Sequence, residues 1–224
     1  MQINEPKKIR AKVKKITRLL EKHYGIPQRK GSRDSLDILI ETILSQNTND
    51  QNRDVAYQRL KNRFPYWENV LEAGKESIVS AIRPGGLAEQ KARRIHEILR
   101  WIKEREGKLS LLFLKKMDSG EIIKTLSALK GVGPKTVHCL LLFGFKREAF
   151  PVDTHILRIG KRLGFIPEGM SAEKAHSWMA PLIPKKMSLS LHLNLIRFGR
   201  SVCMARAPRC KICFLAKECL HPIK

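Results

Sequence analysis

Lys135, Asp153 and a quartet of cysteines, Cys203, Cys210, Cys213 and Cys219, are the residues of this chain whose types and spacing can do chemistry. The cysteines run C-x6-C-x2-C-x5-C on a stretch that also bears Arg206, Arg209, Lys211 and Lys217. Thiolates crowded so closely repel one another unless a positive centre sits between them. Metal ligation supplies that charge and keeps the sulfurs from pairing as disulfides. Zinc usually takes two tight C-x2-C knuckles, whereas here one tight pair lies inside two wider gaps. The spacing therefore predicts a 4Fe–4S cluster held by one wrapped loop, with zinc as the alternative metal and unrelated core cysteines as the bland reading.

Lys135 follows Leu129-Lys130-Gly131-Val132-Gly133-Pro134, a glycine hairpin between two helical patterns. Glycines open backbone angles closed to other residues and let a ligand approach the chain. Pro134 suits the first turn of a helix that runs to about Phe143 and turns back at Gly144. Free amides at such a helix start hold a phosphate without reading sequence; a plain tight turn is the competing reading. A lysine near a helix start and among other cations has its neutral form favoured, as a nucleophilic amine requires. Asp153, in Pro151-Val152-Asp153-Thr154-His155, could take that proton or stabilise positive charge on a sugar. The structural alternatives are a phosphate contact for Lys135 and a helix cap for Asp153.

The elements that must position these groups read as helices almost throughout. Asp34 or Ser35 can cap a helix through Leu36, Ile38, Leu39, Ile40, Ile43 and Leu44. Ala92, Ile95, Ile98, Leu99 and Ile102 recur at helical spacing with Lys and Arg on the other face, and Ile122, Ile123, Leu126 and Leu129 mark a shorter helix. Leu189, Leu191, Leu193 and Leu195 alternate with polar residues in the manner of a strand. Leucine is a good helix former and no partner strand is in evidence, so this stretch too reads as helix. Cys139, outside the quartet on an apolar run, reads as core, and His155 as a structural hydrogen-bonding residue.

Lys and Arg number 44 against 21 acidic residues, a formal net charge of +23 in 224 residues. Such an excess repels itself in the folded state, and a polyanionic partner is the economical explanation. With 42% hydrophobic residues the chain can build an ordinary core. No stretch approaches the length of a membrane span, and the first thirty residues are basic and polar rather than a signal peptide. Reduced cysteines without an export signal predict a cytoplasmic, nucleoid-associated setting with no membrane partner. The fourteen aromatics form no periodic stacking platform, which argues against a dedicated single-strand binder.

Leu129–Thr136, Val152–His155 and the cysteine spacing together resemble the endonuclease III-like DNA glycosylases, a helix-hairpin-helix superfamily with a C-terminal iron–sulfur loop; the likeness runs from about Leu36 to Cys219. The resemblance implies an all-α protein of two helical domains flanking a DNA-binding cleft that holds the active site. One is a helical barrel over residues 28–147, carrying the hairpin; the other is an iron–sulfur cluster domain formed by 1–27 and 148–224. It implies a monomer that flips a damaged or mismatched base out of duplex DNA and cleaves its glycosidic bond. Lys135 then matches the family's lysine nucleophile, which attacks C1′, forms a Schiff base and nicks the strand by β-elimination. Asp153 matches its essential carboxylate. The cluster would be a structural and DNA-binding element, with Arg206, Arg209 and Lys211 on phosphates and Gly131 and Gly133 lining the backbone-binding hairpin.

Leu44–Asp50 is similar to the family segment whose glutamine fills the hole left by the flipped base. Aligned without a gap to Asp50, that position holds Asn47, and Gln46 sits one residue earlier, so both amides are candidates. Gly86-Leu87 resembles the turn that supplies a leucine wedge, though Ala88 follows where a bulkier polar residue is common. Lys130, where the family often has proline, would be neutral or add a phosphate contact. The expected activity is base-excision glycosylase with AP lyase, on oxidised pyrimidines. The alternatives are a monofunctional thymine/uracil mismatch or alkylpurine glycosylase of the same superfamily, and a non-catalytic structural DNA binder.

Overall fold

The computed structural model describes residues 6–28, 31 and 33–221; residues 1–5 and 222–224, at the ends of the expected cluster domain, lie outside them. Among the described residues there is no strand. The described residues form eleven α-helices in order: α1 (Pro6–Tyr24), α2 (Ser35–Leu44), α3 (Asp50–Arg63), α4 (Trp67–Glu72), α5 (Lys75–Ile82), α6 (Ala88–Glu106), α7 (Ser119–Ser127), α8 (Pro134–Cys139), α9 (Thr154–Arg162), α10 (Ala172–Met179) and α11 (Ser188–Ser201). The chain divides into two compact units, Ser32–Arg147 and Met1–Gly31 with Glu148–Lys224.

In the Ser32–Arg147 unit α2 is the central helix. Leu36, Ile38, Leu39, Ile40, Ile43 and Leu44 are all buried, an apolar surface too wide for one stripe, and the helix packs on α3, α6 and α8. Asp34 starts it, its Oδ1 accepting from the Leu36 amide at 2.8 Å. A reciprocal cap starts α7, where Asp118 accepts from the Glu121 amide (2.9 Å) and Glu121 from that of Asp118 (2.7 Å). α7 ends at Ser127, before Leu129, which belongs instead to the hairpin turn.

The second unit joins α1 to α9–α11. Ile9, Val13, Ile16 and Leu20 form the buried stripe of α1, which packs on α11. The alternating leucines do form a helix, α11. The strand-like pattern arises because polar residues between the leucines are buried as well. His192 is hydrogen-bonded to the Pro151 carbonyl (3.0 Å), and Asn194 Nδ2 donates to that of Gly25 (3.0 Å). A helix buried on so much of its surface loses the polar face that periodicity relies on.

Candidate active site and cluster loop

The hairpin places Lys135 at the start of α8. Leu129 O accepts from the Val132 amide (3.0 Å), Gly131 takes a left-handed φ of +83°, and Pro134 opens the helix one residue before Lys135. Lys135 is exposed, and Thr136 and Val137 behind it are buried. The glycines have different reasons to be there. Gly131 needs its backbone angle, and a Cβ on it would run into Cδ and Nε of Arg94. Gly133 has an ordinary φ of −87°, and a Cβ there would meet nothing. The helix expected to run to Phe143 is α-helical only to Cys139; Leu140–Gly144 forms a π turn, closed by the Phe145 amide donating to Leu140 O at 3.0 Å. A Cβ on Gly144 would lie 2.9 Å from Leu140 Cδ1 and 3.4 Å from Ser35 Cβ, so a side chain there would displace the Leu140 methyl. Cys139 is buried, as expected of a core thiol.

Three further segments of this unit carry the remaining expected DNA contacts. Lys130 is exposed beside Gly131. Leu87, between Gly86 and α6, is 51% exposed with φ +50°. A leucine held outward in a left-handed conformation is costly on both counts, as expected of a residue kept for contact. Asn47 is exposed with φ +53°, whereas the neighbouring amide is committed inward. Gln46 Nε2 donates to Gly131 O (2.9 Å) and lies 3.4 Å from Thr136 Oγ1, and its Oε1 accepts from Arg94 (2.7 Å).

In the other unit Asp153 is the N-cap of α9, with Oδ1 accepting from the Ile156 amide at 2.8 Å. Buried His176 accepts from the Val152 amide through Nε2 (3.1 Å) and bonds Ala172 O through Nδ1 (2.8 Å), fixing the chain just ahead of Asp153. His155 turns to Arg158, whose Nη2 lies 3.1 Å from its Nδ1, and a Cβ on Gly199 would press on that ring nitrogen. His155 is thus a structural residue of the α9–α11 contact.

The four quartet cysteines are half-buried, form no disulfide and line one concavity with apolar Leu163, Phe198 and Val202. Burial pushes the Cys213 thiol up, a backbone hydrogen bond at Leu215 opposes this, and Cys203, Cys219 and Cys210 raise it further. Among the described residues no three His, Cys, Asp or Glu side chains are gathered as closely as one metal ion requires. The four thiols, free of disulfides on one loop, are an all-sulfur donor set of the kind a 4Fe–4S cluster takes. Two arginines one turn apart on α9 fasten the loop. Arg158 donates twice to the Cys203 carbonyl (2.8 and 3.2 Å) and once to that of Gly199 (3.0 Å). Arg162 donates to Cys203 Sγ (3.3 Å), Met204 O (2.7 Å) and Ala205 O (3.2 Å). Arg206, Arg209 and Lys211 are exposed on the loop.

A profile of the HhH-GPD superfamily of base excision DNA repair proteins matches residues 40–185, through hairpin and Asp153 alike. The chain belongs to this superfamily. Endonuclease III of Thermotoga maritima is 31% identical over 92% of this chain and 92% of its own. An Arabidopsis thaliana protein named as a DNA glycosylase is 41% identical over 74% of this chain, which spans 56% of that protein's length. A solved endonuclease III–DNA complex superposes with a TM-score of 0.80 at 26% identity, covering 94% of this chain and 95% of that one. These likenesses place the chain among the endonuclease III-like base excision repair DNA glycosylases, on their all-α fold.

Sequence reasoning missed the residues that hold the site together. Lys91, read as part of the polar face of α6, is buried outright. The signal was present, because Lys91 lies on the same register as Ile95, Ile98 and Ile102. For Arg94, Arg158, Arg162 and His176 the sequence offers no comparable mark, since arginine and histidine at helical positions are ordinarily solvated.

Proposed function

We propose that this protein is a bifunctional DNA glycosylase and AP lyase acting, as a monomer, on oxidised pyrimidines in duplex DNA. The observation that carries the reading is Lys135, an exposed primary amine on the first turn of α8 directly after the hairpin. Its resemblance to endonuclease III relatives supports it, as does a solved endonuclease III–DNA covalent intermediate at 26% identity and TM-score 0.80.

In this reading Lys135 Nζ, having given up a proton, attacks C1′ of the flipped nucleotide. The C1′–N bond breaks and the base leaves with a proton. Opening the sugar gives a Schiff base, loss of a C2′ proton then expels the 3′ phosphate, and water returns the free lysine. Asp153 accepts the lysine's proton and stabilises positive charge as it develops at the sugar. A neutral amide at 153 would keep the α9 cap and lose both roles. Gly131, Gly133 and Lys130 hold backbone phosphate, Leu87 enters the opposite strand and Asn47 meets the orphan base. Cys203, Cys210, Cys213 and Cys219 would hold a 4Fe–4S cluster, which supplies structural closure of the loop bearing Arg206, Arg209 and Lys211.

The test is incubation with duplexes carrying thymine glycol, uracil, T opposite G, 8-oxoguanine or an alkylated purine, measuring base release and nicking separately. Release with nicking on thymine glycol is expected. Release without nicking would make the enzyme monofunctional, and binding with neither would make it a structural DNA binder.

A further inference from the structure

Lys91 has no place in the chemistry above, yet it is completely buried, and its two hydrogen-bond acceptors are carbonyls. Its Nζ donates to Leu44 O (2.7 Å) and Gly85 O (2.8 Å). Leu44 is the last residue of α2, so the ammonium sits where the helix dipole is negative and the last carbonyls lack partners. Gly85 ends the short helical turn Arg83–Gly85 that leads through Gly86 to Leu87. One turn along α6, Arg94 donates to Gln46, which donates in turn to the hairpin carbonyl of Gly131. Two cationic side chains of one helix thus tie together residues 44–47, 85–87 and 129–133.

A buried cation whose hydrogen-bond acceptors are neutral carbonyls is an expensive way to stabilise a core, and well-packed apolar side chains usually do as well or better. What an apolar residue cannot do is hold two carbonyls from separate segments at a fixed distance. We propose that Lys91 and Arg94 are positioning residues for base extrusion. Lys91 sets the spacing between the Asn47 loop and the Leu87 tip, and Arg94, acting through Gln46, locks both to the hairpin. Gln46 is then the joint behind the loop, and Asn47 is the amide presented outward. The inference rests on the glycosylase reading and deepens it.

The experiment uses duplex DNA with 2-aminopurine next to thymine glycol, where a fluorescence rise reports extrusion, together with single-turnover base release. Arg94→Ala and Gln46→Ala should each lower extrusion and release about 10–100-fold, the worth of one charge-assisted hydrogen bond. The double variant should be no worse than either, because all three break one link. Lys91→Met should lower extrusion similarly, with affinity for undamaged duplex and its salt slope unchanged, since no phosphate contact is touched. Hydrogen exchange without DNA gives a second readout. Arg94→Ala should speed exchange jointly at 44–47 and 129–133, and Lys91→Met at 44–47 and 85–87. Additive losses in the double variant, or faster exchange confined to α6, overturn the proposal. A wild type that binds DNA but releases no base refutes the glycosylase reading instead, and the exchange data still decide whether the segments are linked.

Discussion

The two hairpin glycines should separate folding from DNA binding when each is changed to alanine. At Gly131 the φ of +83° penalises any Cβ by about 1–2 kcal/mol. The same Cβ would run into Arg94 Cδ and Nε, displacing the guanidinium from Gln46, at a further cost of about 1.5–3 kcal/mol for a charge-assisted hydrogen bond. Gly131→Ala should therefore destabilise the protein by about 2–4 kcal/mol, allowing for partial relaxation of a flexible arginine. Gly133 has a φ of −87° and open space beyond it, so Gly133→Ala should be neutral or stabilise by about 0.5 kcal/mol through the unfolded chain. If that open space is where a phosphate approaches, the same change should weaken duplex binding. Urea unfolding and fluorescence-anisotropy titration of both variants, at one salt concentration, provide the comparison. Equal destabilisation by the two changes, or a Gly133→Ala protein that binds DNA like the wild type, would refute the division of labour.

Asp153→Asn should retain the α9 cap, because an amide oxygen accepts from Ile156 as a carboxylate does; melting should stay close to wild type while base release collapses. Asp153→Ala should in addition cost about 1 kcal/mol of stability, and equal melting losses in both variants would mean that the charge itself supports the fold. Arg162→Ala removes contacts to Cys203, Met204 and Ala205, and should lower retention of iron and visible absorbance by about 10–100-fold against a chelator. A colourless, zinc-loaded wild type would count against the cluster. Burial, with Arg94 adding to it, lowers the Lys91 pKa from 10.5 to about 8, so between these values the unfolded chain binds more protons and stability should rise with pH. The stability of the wild type relative to Lys91→Met, from unfolding midpoints, should grow from pH 8 to pH 10.5, and a flat difference would contradict the lowered pKa.

Periodicity found α6 and the apolar run of α2, whereas α11 was reached against its strand-like alternation, through the helix propensity of leucine and the lack of a partner strand. It placed Lys135 and Asp153 at helix starts because proline and aspartate there have local backbone reasons. It could not foresee the π turn over Leu140–Gly144, whose last residue packs close to Ser35, more than a hundred positions back in the chain. Nor could it choose between Gln46 and Asn47, adjacent residues of similar chemistry. That distinction lies in Arg94, forty-eight positions away. The cysteine spacing showed that the thiols belong together, but Arg158 and Arg162, which hold Cys203 in place, lie on a different helix. Side chains that act through tertiary contacts leave little trace in local pattern.

The central claim is that Lys135 is the nucleophile. Its most direct test is borohydride reduction during reaction with a thymine glycol duplex, followed by digestion and mass spectrometry of the DNA-linked peptide. The account predicts a covalent adduct on the peptide containing Lys135, absent from Lys135→Ala even though that variant still binds the duplex. An adduct on another lysine, or base release by the wild type with no adduct at all, would contradict it.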